Sequence, residues 1–372
     1  MYEHATSNGV SHAGATLTVD LGALAENYNI LKTKLHPATR CGAVIKADAY
    51  GLGMRRVSSA LESAGCADFF VAHIDEGLLA RKCLSASASI YILNGLPPGA
   101  ESDAEAAGLI PVLNSIKQVE AWSDHARKMK RRLPAVLQFD TGMSRFGLSP
   151  EEACSLSGLD FWQSNLELRY VMSHFACADE PLNPASAAQL ASFSAVADLF
   201  KGVPTSLANS SGIFRGADFH GNLVRPGAAL YGISPLPLER NPMRPVAQLA
   251  ARVVQTRTIG AGDGVGYGFD FRAKRPSHIA TISIGYADGI SRRLGNSGTV
   301  YFAGHALPIL GRLSMDSMVI GLNDAVADEI TNDSSVELIG PDQSVDDLAR
   351  CAGTIAYEVL AGLGPRVERI YR

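Results

Sequence analysis

CGAVIKADAYGLG (residues 41–53) opens with an apolar run, CGAVIK, that is too short for a helix and carries β-branched residues, so it reads as a buried strand. Gly51-Leu52-Gly53 then breaks the chain before a helical pattern in which Val57, Leu61 and Ala64 share a face. The same alternation runs outward on both sides. Upstream, ATLTVDL alternates like a strand and ends at Asp20, a helix N-cap for the run that places Leu24, Tyr28, Leu31 and Leu35 together. Downstream come FFVA (69–72), a helical DEGLLARKCL, SIYIL (89–93), IPVL (110–113), a helical stretch over 115–131 and AVLQFD (135–140). LELRYVMSHF, TSLAN and VRPGAALYG follow as further strand candidates. Seven or eight short apolar strands separated by helices predict a parallel α/β fold, for which a closed barrel is the usual form. Periodicity alone leaves a doubly wound open sheet as an alternative.

From about residue 240 the texture changes. VAQLAARVVQTRTI, HIATISIGYADG, TVYFAG and LPILGRLSMDSMVIGL alternate between glycine-rich turns with little helical pattern, which predicts a separate β domain. The boundary falls near PLPLERNPMRP (235–245), where prolines and charges gather as in a linker. The expected domains are a barrel over 20–238 and a β domain made of 239–372 and completed by 1–19.

Composition narrows the function. With 372 residues, 47% hydrophobic and 19% charged, the chain has ample material for a soluble enzyme's core. Its net charge of -4 gives no basic surface for nucleic acid or anionic membrane. The one dense positive run, RKMKRR (127–132), reads as the solvated end of a helix. Cys41, Cys66, Cys83, Cys154, Cys177 and Cys351 are scattered without a CxxC pair or zinc spacing, so reduced thiols and no metal are expected. The opening MYEHATSNGVSHAG lacks the apolar core of a secretion signal, and no stretch stays apolar for the ~20 residues of a membrane span, so the expected compartment is the cytoplasm.

Lys46 closes the first strand. In a barrel the C-terminal strand ends line the active site, where a lysine on a low-dielectric floor suits Schiff-base chemistry; outside that context such a lysine simply reaches solvent. KADAYGLG resembles the cofactor-lysine motif of the alanine racemase family. DTGMSRFG (140–147), SHFACADE (173–180), LANSSG (207–212), VRPGAALYG (224–232), VGYGFDF (265–271), IGYADG (284–289), GRLSMDSM (311–318) and TIAYEVL (354–360) resemble that family's blocks in the same order, from Thr16 to Tyr371.

The resemblance implies an N-terminal (β/α)8 TIM-like barrel, a C-terminal mostly-β domain and a head-to-tail homodimer with shared sites. It implies pyridoxal 5'-phosphate as cofactor and racemisation of alanine, which would supply D-alanine for peptidoglycan or help degrade it. Racemisation removes the Cα proton from one face and returns one on the other, so two bases must flank a planar centre. By family position Lys46 holds the cofactor and is one base, and Tyr267 from the partner subunit is the other. An unperturbed phenol titrates near ~10, so Tyr267 needs polar or cationic neighbours, for which His174 and Arg225 match.

Arg225 matches the arginine facing the pyridine nitrogen; because it does not give up a proton, that nitrogen stays unprotonated. Tyr50, Ser210, Tyr357 and the amides of Gly227 and Ala228 match the phosphate contacts, with Asn209 beside them. Arg145 matches a contact to the cofactor's phenolic oxygen and the substrate carboxylate, Met315 and Asp316 a partner-subunit pair at that carboxylate, with Met315 donating through its backbone N–H, and Tyr286 a side chain narrowing the way in. Several of these have plain alternatives: turn tyrosine for Tyr267, turn or cap for Asn209, core packing for Met315.

The chain departs from the family twice. Gln138 stands where many members carry a carbamylated lysine bonded to the following arginine, and Ser206 where a histidine often supports the pyridine arginine. Rival readings are a racemase of wider specificity acting on serine or larger amino acids, a decarboxylase of the same fold type and a non-catalytic cofactor binder. The decarboxylase calls for an acidic group at the pyridine nitrogen, where this chain has Arg225. The binder has no use for Tyr267, His174 and the Met315-Asp316 pair.

Overall fold

The computed structural model describes residues 12–158, 164–236 and 240–372. Residues 1–11 of the polar start and 237–239 of the expected linker lie outside the described residues. The chain packs as two compact units: Leu24–Ala49 with Met54–Arg244, and the described residues up to Ala23 with Tyr50–Gly53 and Pro245–Arg372.

In the first unit the apolar runs become strands because both faces of the sheet are covered, which is why they do not alternate. Ala43–Val44, Asp68–Val71, Ser89–Ile92, Leu109–Leu113, Leu133–Gln138, Leu166–Met172 and Thr205–Ser206 pair in parallel, each with the next in the chain. Leu223–Val224 pairs in parallel with Arg40–Cys41, which runs on into the first of these strands. The N–H groups of Gly42 and Val44 donate to the carbonyls of Val224 and Pro226, both at 2.9 Å, and Arg225 N–H donates to the Ala208 carbonyl at 2.9 Å. The sheet therefore closes into an eight-stranded barrel, and the open-sheet alternative falls away. Phe69, Ile90, Ile92, Val112, Leu137 and Val171 are fully buried within it.

The helices between the strands carry their own start signals. Ser115 Oγ accepts from the Gln118 N–H at the start of Ile116–Met129, and Ser149 caps Pro150–Ser157 in the same way. Asp20 accepts from the Ala23 N–H at 2.8 Å and caps Leu21–Thr33, in which Leu24, Tyr28 and Leu31 are buried; Leu35 lies beyond its last turn. At the start of its strand, buried Asp68 binds the Arg40 guanidinium at 2.6 and 2.8 Å and the Tyr91 hydroxyl at 3.1 Å. That network closes the barrel's N-terminal end, away from Lys46.

The second unit is an eight-stranded sheet in which Ala247–Ile259 is the spine. Its first half pairs antiparallel with Ser335–Ile339 and Ala15–Val19, its second half with Ser277–Ile282, and register shifts at Leu249/Ala250 and Val253/Gln255 mark the bends. Met318–Leu322, His305–Leu310 and Thr299–Phe302 complete a closed antiparallel ring, and Glu368–Tyr371 lies parallel to Ala15–Val19. Little helix is expected here from the sequence, yet Val345–Ala352 and Ala356–Ala361 are helical. The Ser344/Asp347 capping box and the buried Val345, Leu348, Ala349 and Ala352 explain the longer one. No helix of the described residues is long and apolar enough to cross a membrane.

Candidate active site

In the barrel unit, Lys46, Gln138, His174, Ser206, Ser210 and Arg225 all stand at or just past the C-terminal ends of parallel strands, the face on which barrel enzymes build their sites. Lys46 is half-buried. Burial and the Arg145 guanidinium lower its pKa from the ordinary lysine value, and Glu76 acts in the opposite direction. A larger fraction of its amine is thus neutral near pH 7, as a nucleophile needs. Directly after it, Ala47, Asp48, Ala49 and Tyr50 all have left-handed backbones, with φ between 52 and 57°. Such a conformation costs roughly 1–2 kcal/mol per non-glycine residue. Three hydrogen bonds hold it: Ala47 N–H to Glu76 Oε1 at 2.6 Å, Ala49 N–H to the Ile45 carbonyl at 2.9 Å, and Met54 N–H to Asp48 Oδ1 at 2.7 Å.

Arg225 is only 3% exposed and has no carboxylate partner among the described residues. Its Nη1 donates to Ser206 Oγ at 2.6 Å, and its Nη2 to the Ser173 carbonyl at 2.7 Å, the Leu207 carbonyl at 3.4 Å and His174 Nδ1 at 3.2 Å. Ser206, itself donating to the Leu223 carbonyl at 2.6 Å, supplies the support that a histidine often gives in the family. Burial pushes the Arg225 pKa down to about 10, which still leaves it cationic near neutrality. Since arginine cannot accept, His174 Nδ1 must be the acceptor, and its proton sits on Nε2. Burial first, then Arg225, Arg145 and Lys46, hold the His174 pKa well below the usual histidine range, so the ring is neutral.

Beside Arg225 the backbone forms a small amide nest. Ser210 Oγ accepts from the N–H groups of Gly227 at 3.0 Å and Ala229 at 3.2 Å, while the Ala228 N–H has no acceptor among the described residues. A buried, unpaired amide flanked by a hydroxyl is the donor set an anion requires. With a depressed lysine and an Arg225 whose Nε is not used by any hydrogen bond within the described residues, the barrel unit fits an anionic, carbonyl-bearing heterocycle such as pyridoxal phosphate. Asn209 is otherwise engaged: its Oδ1 accepts from the Gly212 N–H at 2.9 Å and its Nδ2 donates to the Phe175 carbonyl. Arg145 lies over the Phe146 ring, and no hydrogen bond among the described residues joins it to the buried Gln138.

The remaining sequence-predicted residues belong to the β unit. Tyr267 sits in a 3-10 turn where Gly266 and Gly268, with φ of 68 and 74°, allow the chain to double back, and its side chain is 71% exposed. Tyr50 and Tyr357 come together with ring centroids 6.1 Å apart, and burial together with Tyr357 raises the Tyr50 pKa. Gly285 lets the backbone of Ser314 and Met315 approach so closely that a Cβ there would collide with the Met315 carbonyl oxygen. Sequence reasoning missed the residue that organises this turn. Arg366 binds Asp288 Oδ1 at 2.7 Å and Asp316 Oδ1 at 2.6 Å, while Asp288 Oδ2 accepts from the Gly285 N–H. Arg366 pairs with carboxylates 78 and 50 positions earlier, a spacing with no local pattern to read.

A half-buried lysine at a strand end of a parallel barrel, with a buried arginine and an amide nest at the same face, gives an α/β barrel whose residues fit a carbonyl-bearing, anionic cofactor. The chain belongs to the alanine racemase family: the model of the alanine racemase N-terminal domain matches residues 19–235 and that of the C-terminal domain residues 246–371. It is 50% identical over 359 residues to the catabolic alanine racemase of Agrobacterium fabrum, covering 96% of this chain and 92% of that one. The alanine racemase of Brucella ovis is 45% identical over 372 residues, with 96% and 94% covered. Among solved structures, alanine racemase from Bartonella henselae with covalently bound pyridoxal phosphate superposes with a TM-score of 0.93 at 42% identity, covering 97% of this chain and 100% of that one.

Proposed function

We propose that this chain interconverts L- and D-alanine by a two-base mechanism with pyridoxal phosphate held on Lys46. The observation that carries the reading is Arg225: a buried cation fixed by neutral acceptors only, with no acidic group such as a decarboxylase of this fold type would require. Ser210 and the Ala228 N–H would hold the phosphate, joined by Tyr50 and Tyr357, and Arg225 would face the ring nitrogen without protonating it.

When bound, the cofactor supplies an electron sink that acidifies the Cα–H of an attached amino acid. Lys46 Nζ takes or returns the Cα proton on one face, and Tyr267 of the partner subunit does so on the other. His174, neutral and bonded to Arg225, offers its Nε2–H as a donor toward the second base. Arg145 and the Met315 N–H of the partner subunit would bind the substrate carboxylate, with Asp316 of the partner subunit beside them, and Tyr286 limits the side chain admitted. We further propose that the working form is a head-to-tail homodimer with shared sites, that the barrel spans 20–238, and that residues 1–19 and 239–372 form the β domain.

The direction of use follows the relatives. Those at 49–50% identity, from Agrobacterium fabrum, Mesorhizobium japonicum and Rhizobium johnstonii, are named catabolic alanine racemases, which favours consumption of an alanine enantiomer over supply of D-alanine for peptidoglycan.

The test is racemisation of L-alanine by purified protein with pyridoxal phosphate, resolved by chiral chromatography, beside Lys46→Ala and Tyr267→Phe. D-Alanine from wild type, near-complete loss in the first variant and strong impairment in the second are expected. Racemisation of serine or lysine with alanine untouched would replace the substrate, and no turnover of any amino acid would overturn the reading.

A further inference from the structure

Glu76 stands in the first turn of the Ile74–Arg81 helix, three residues after the N-cap His73. A glutamate there ordinarily accepts from the N-cap amide and nothing more. Glu76 Oε2 does that work, accepting from His73 N–H at 3.1 Å and Ala72 N–H at 2.7 Å. Oε1 does something a cap does not need: it accepts the N–H of Ala47, 29 residues earlier, at 2.6 Å.

Ala47 directly follows Lys46 and is the first of four consecutive left-handed residues, none of them glycine. A backbone in that region persists only where its surroundings over-determine it. Without the Glu76 bond, the Ala47 amide loses its partner and the turn its anchor on the Lys46 side. The charged and titratable groups that act on Lys46 are Arg145, His174 and Glu76, and Glu76 is the anionic one.

We propose that Glu76 is a positioning residue: by joining the Ala72 and His73 amides to the Ala47 amide, it holds the left-handed turn that aims Lys46, and so governs how firmly the chain retains its cofactor. This rests on Lys46 being the cofactor lysine. An aspartate in this position would be too short to span both groups. A glutamine side chain has one acceptor oxygen, so it serves the cap or the turn but presents an N–H₂ to the other amide.

The test uses the full chain as purified. Amide hydrogen exchange over residues 45–50 and titration of pyridoxal phosphate compare wild type, Glu76→Gln, and Glu76→Gln combined with Ala47→Gly. Ala47 is exposed, and glycine accepts a positive φ without the Cβ penalty. Glu76→Gln is expected to speed exchange in that segment by about tenfold or more and to weaken cofactor retention by about tenfold, the scale of a lost charge-assisted hydrogen bond. Its acid pH-rate limb moves to lower pH, because Lys46 loses the anion that favours its charged form. Adding Ala47→Gly restores retention several-fold. Unchanged exchange at 45–50 overturns the proposal. So does a loss of retention that glycine does not restore, which would leave Glu76 acting by charge alone. If wild type binds no pyridoxal phosphate, the functional reading fails while the exchange comparison still decides what Glu76 does.

Discussion

The barrel unit keeps Arg225 and Ser210 buried and bonded, whereas the β unit presents Tyr267 and Met315 on turns. Arg225 is 3% exposed and bonded to four neighbours, and Ser210 is tied to two backbone amides. Tyr267 and Met315 are 71% and 52% exposed, placed by glycine-rich backbone and, next to Met315, by the Arg366–Asp316 pair. A buried arginine cannot relocate without leaving unpaired acceptors behind, so the polar cluster around Arg225 is fixed by the fold. Tyrosine and methionine left open to solvent gain nothing until a second surface covers them. The proposed shared-site homodimer turns that contrast into something experiment can break.

The largest effect is expected from mixing. Alone, Lys46→Ala is expected to be nearly inactive and Tyr267→Phe strongly impaired, but equal amounts unfolded and refolded together should recover about a quarter of wild-type racemase activity, because half the dimers of the proposed kind are mixed and each of those holds one intact site. Activity that stays at the level of the separate variants would place both residues in one chain's site. Next in size is Ser206→Ala, which leaves a buried guanidinium nitrogen without its acceptor. A loss of ~1–3 kcal/mol is expected, read as a lower Tm with weaker cofactor retention, and Ser206→His should recover part of it. An unchanged Tm would mean that Arg225 is not held as rigidly as its bonds imply.

The smallest effect concerns His174. Its folded pKa lies well below 6.5, so the unfolded chain binds the proton first as pH falls. The stability it contributes is complete above about pH 6.5 and is lost as pH drops toward the folded value, at no more than ~1.4 kcal/mol per pH unit. Calorimetry from about pH 7 to 5 should show a shallower decline of Tm in His174→Gln than in wild type. Parallel declines would show that the ring is not held neutral by the fold.

Much of the barrel is written in the chain as uninterrupted apolar runs, because strands covered on both faces need no alternation; FFV, SIYI and LIPVL all fall in strands. Lys46 is legible for the same reason, as a charged residue ending such a run. The turn after it is not. Ala-Asp-Ala-Tyr contains no glycine or asparagine to signal a positive φ, and hydrogen bonds to Glu76, Met54 and the Ile45 carbonyl hold it. Glu76 is not singled out by the sequence, since the target of its Oε1 lies 29 residues earlier, outside any local spacing. Arg366 is hidden likewise, its two carboxylates lying far off in the chain.

The strand Ala15–Val19 and the segment Tyr50–Gly53 both pack with the C-terminal unit, where the Tyr371 hydroxyl donates to the Leu52 carbonyl at 3.0 Å and Arg369 Nε donates to the Gly51 carbonyl at 3.2 Å. A chimera that exchanges everything after residue 245 with a relative would therefore graft only part of a module. Two short N-terminal pieces must travel with it, one of them beginning four residues after Lys46, so recombination between relatives is constrained at the very stretch that carries that lysine.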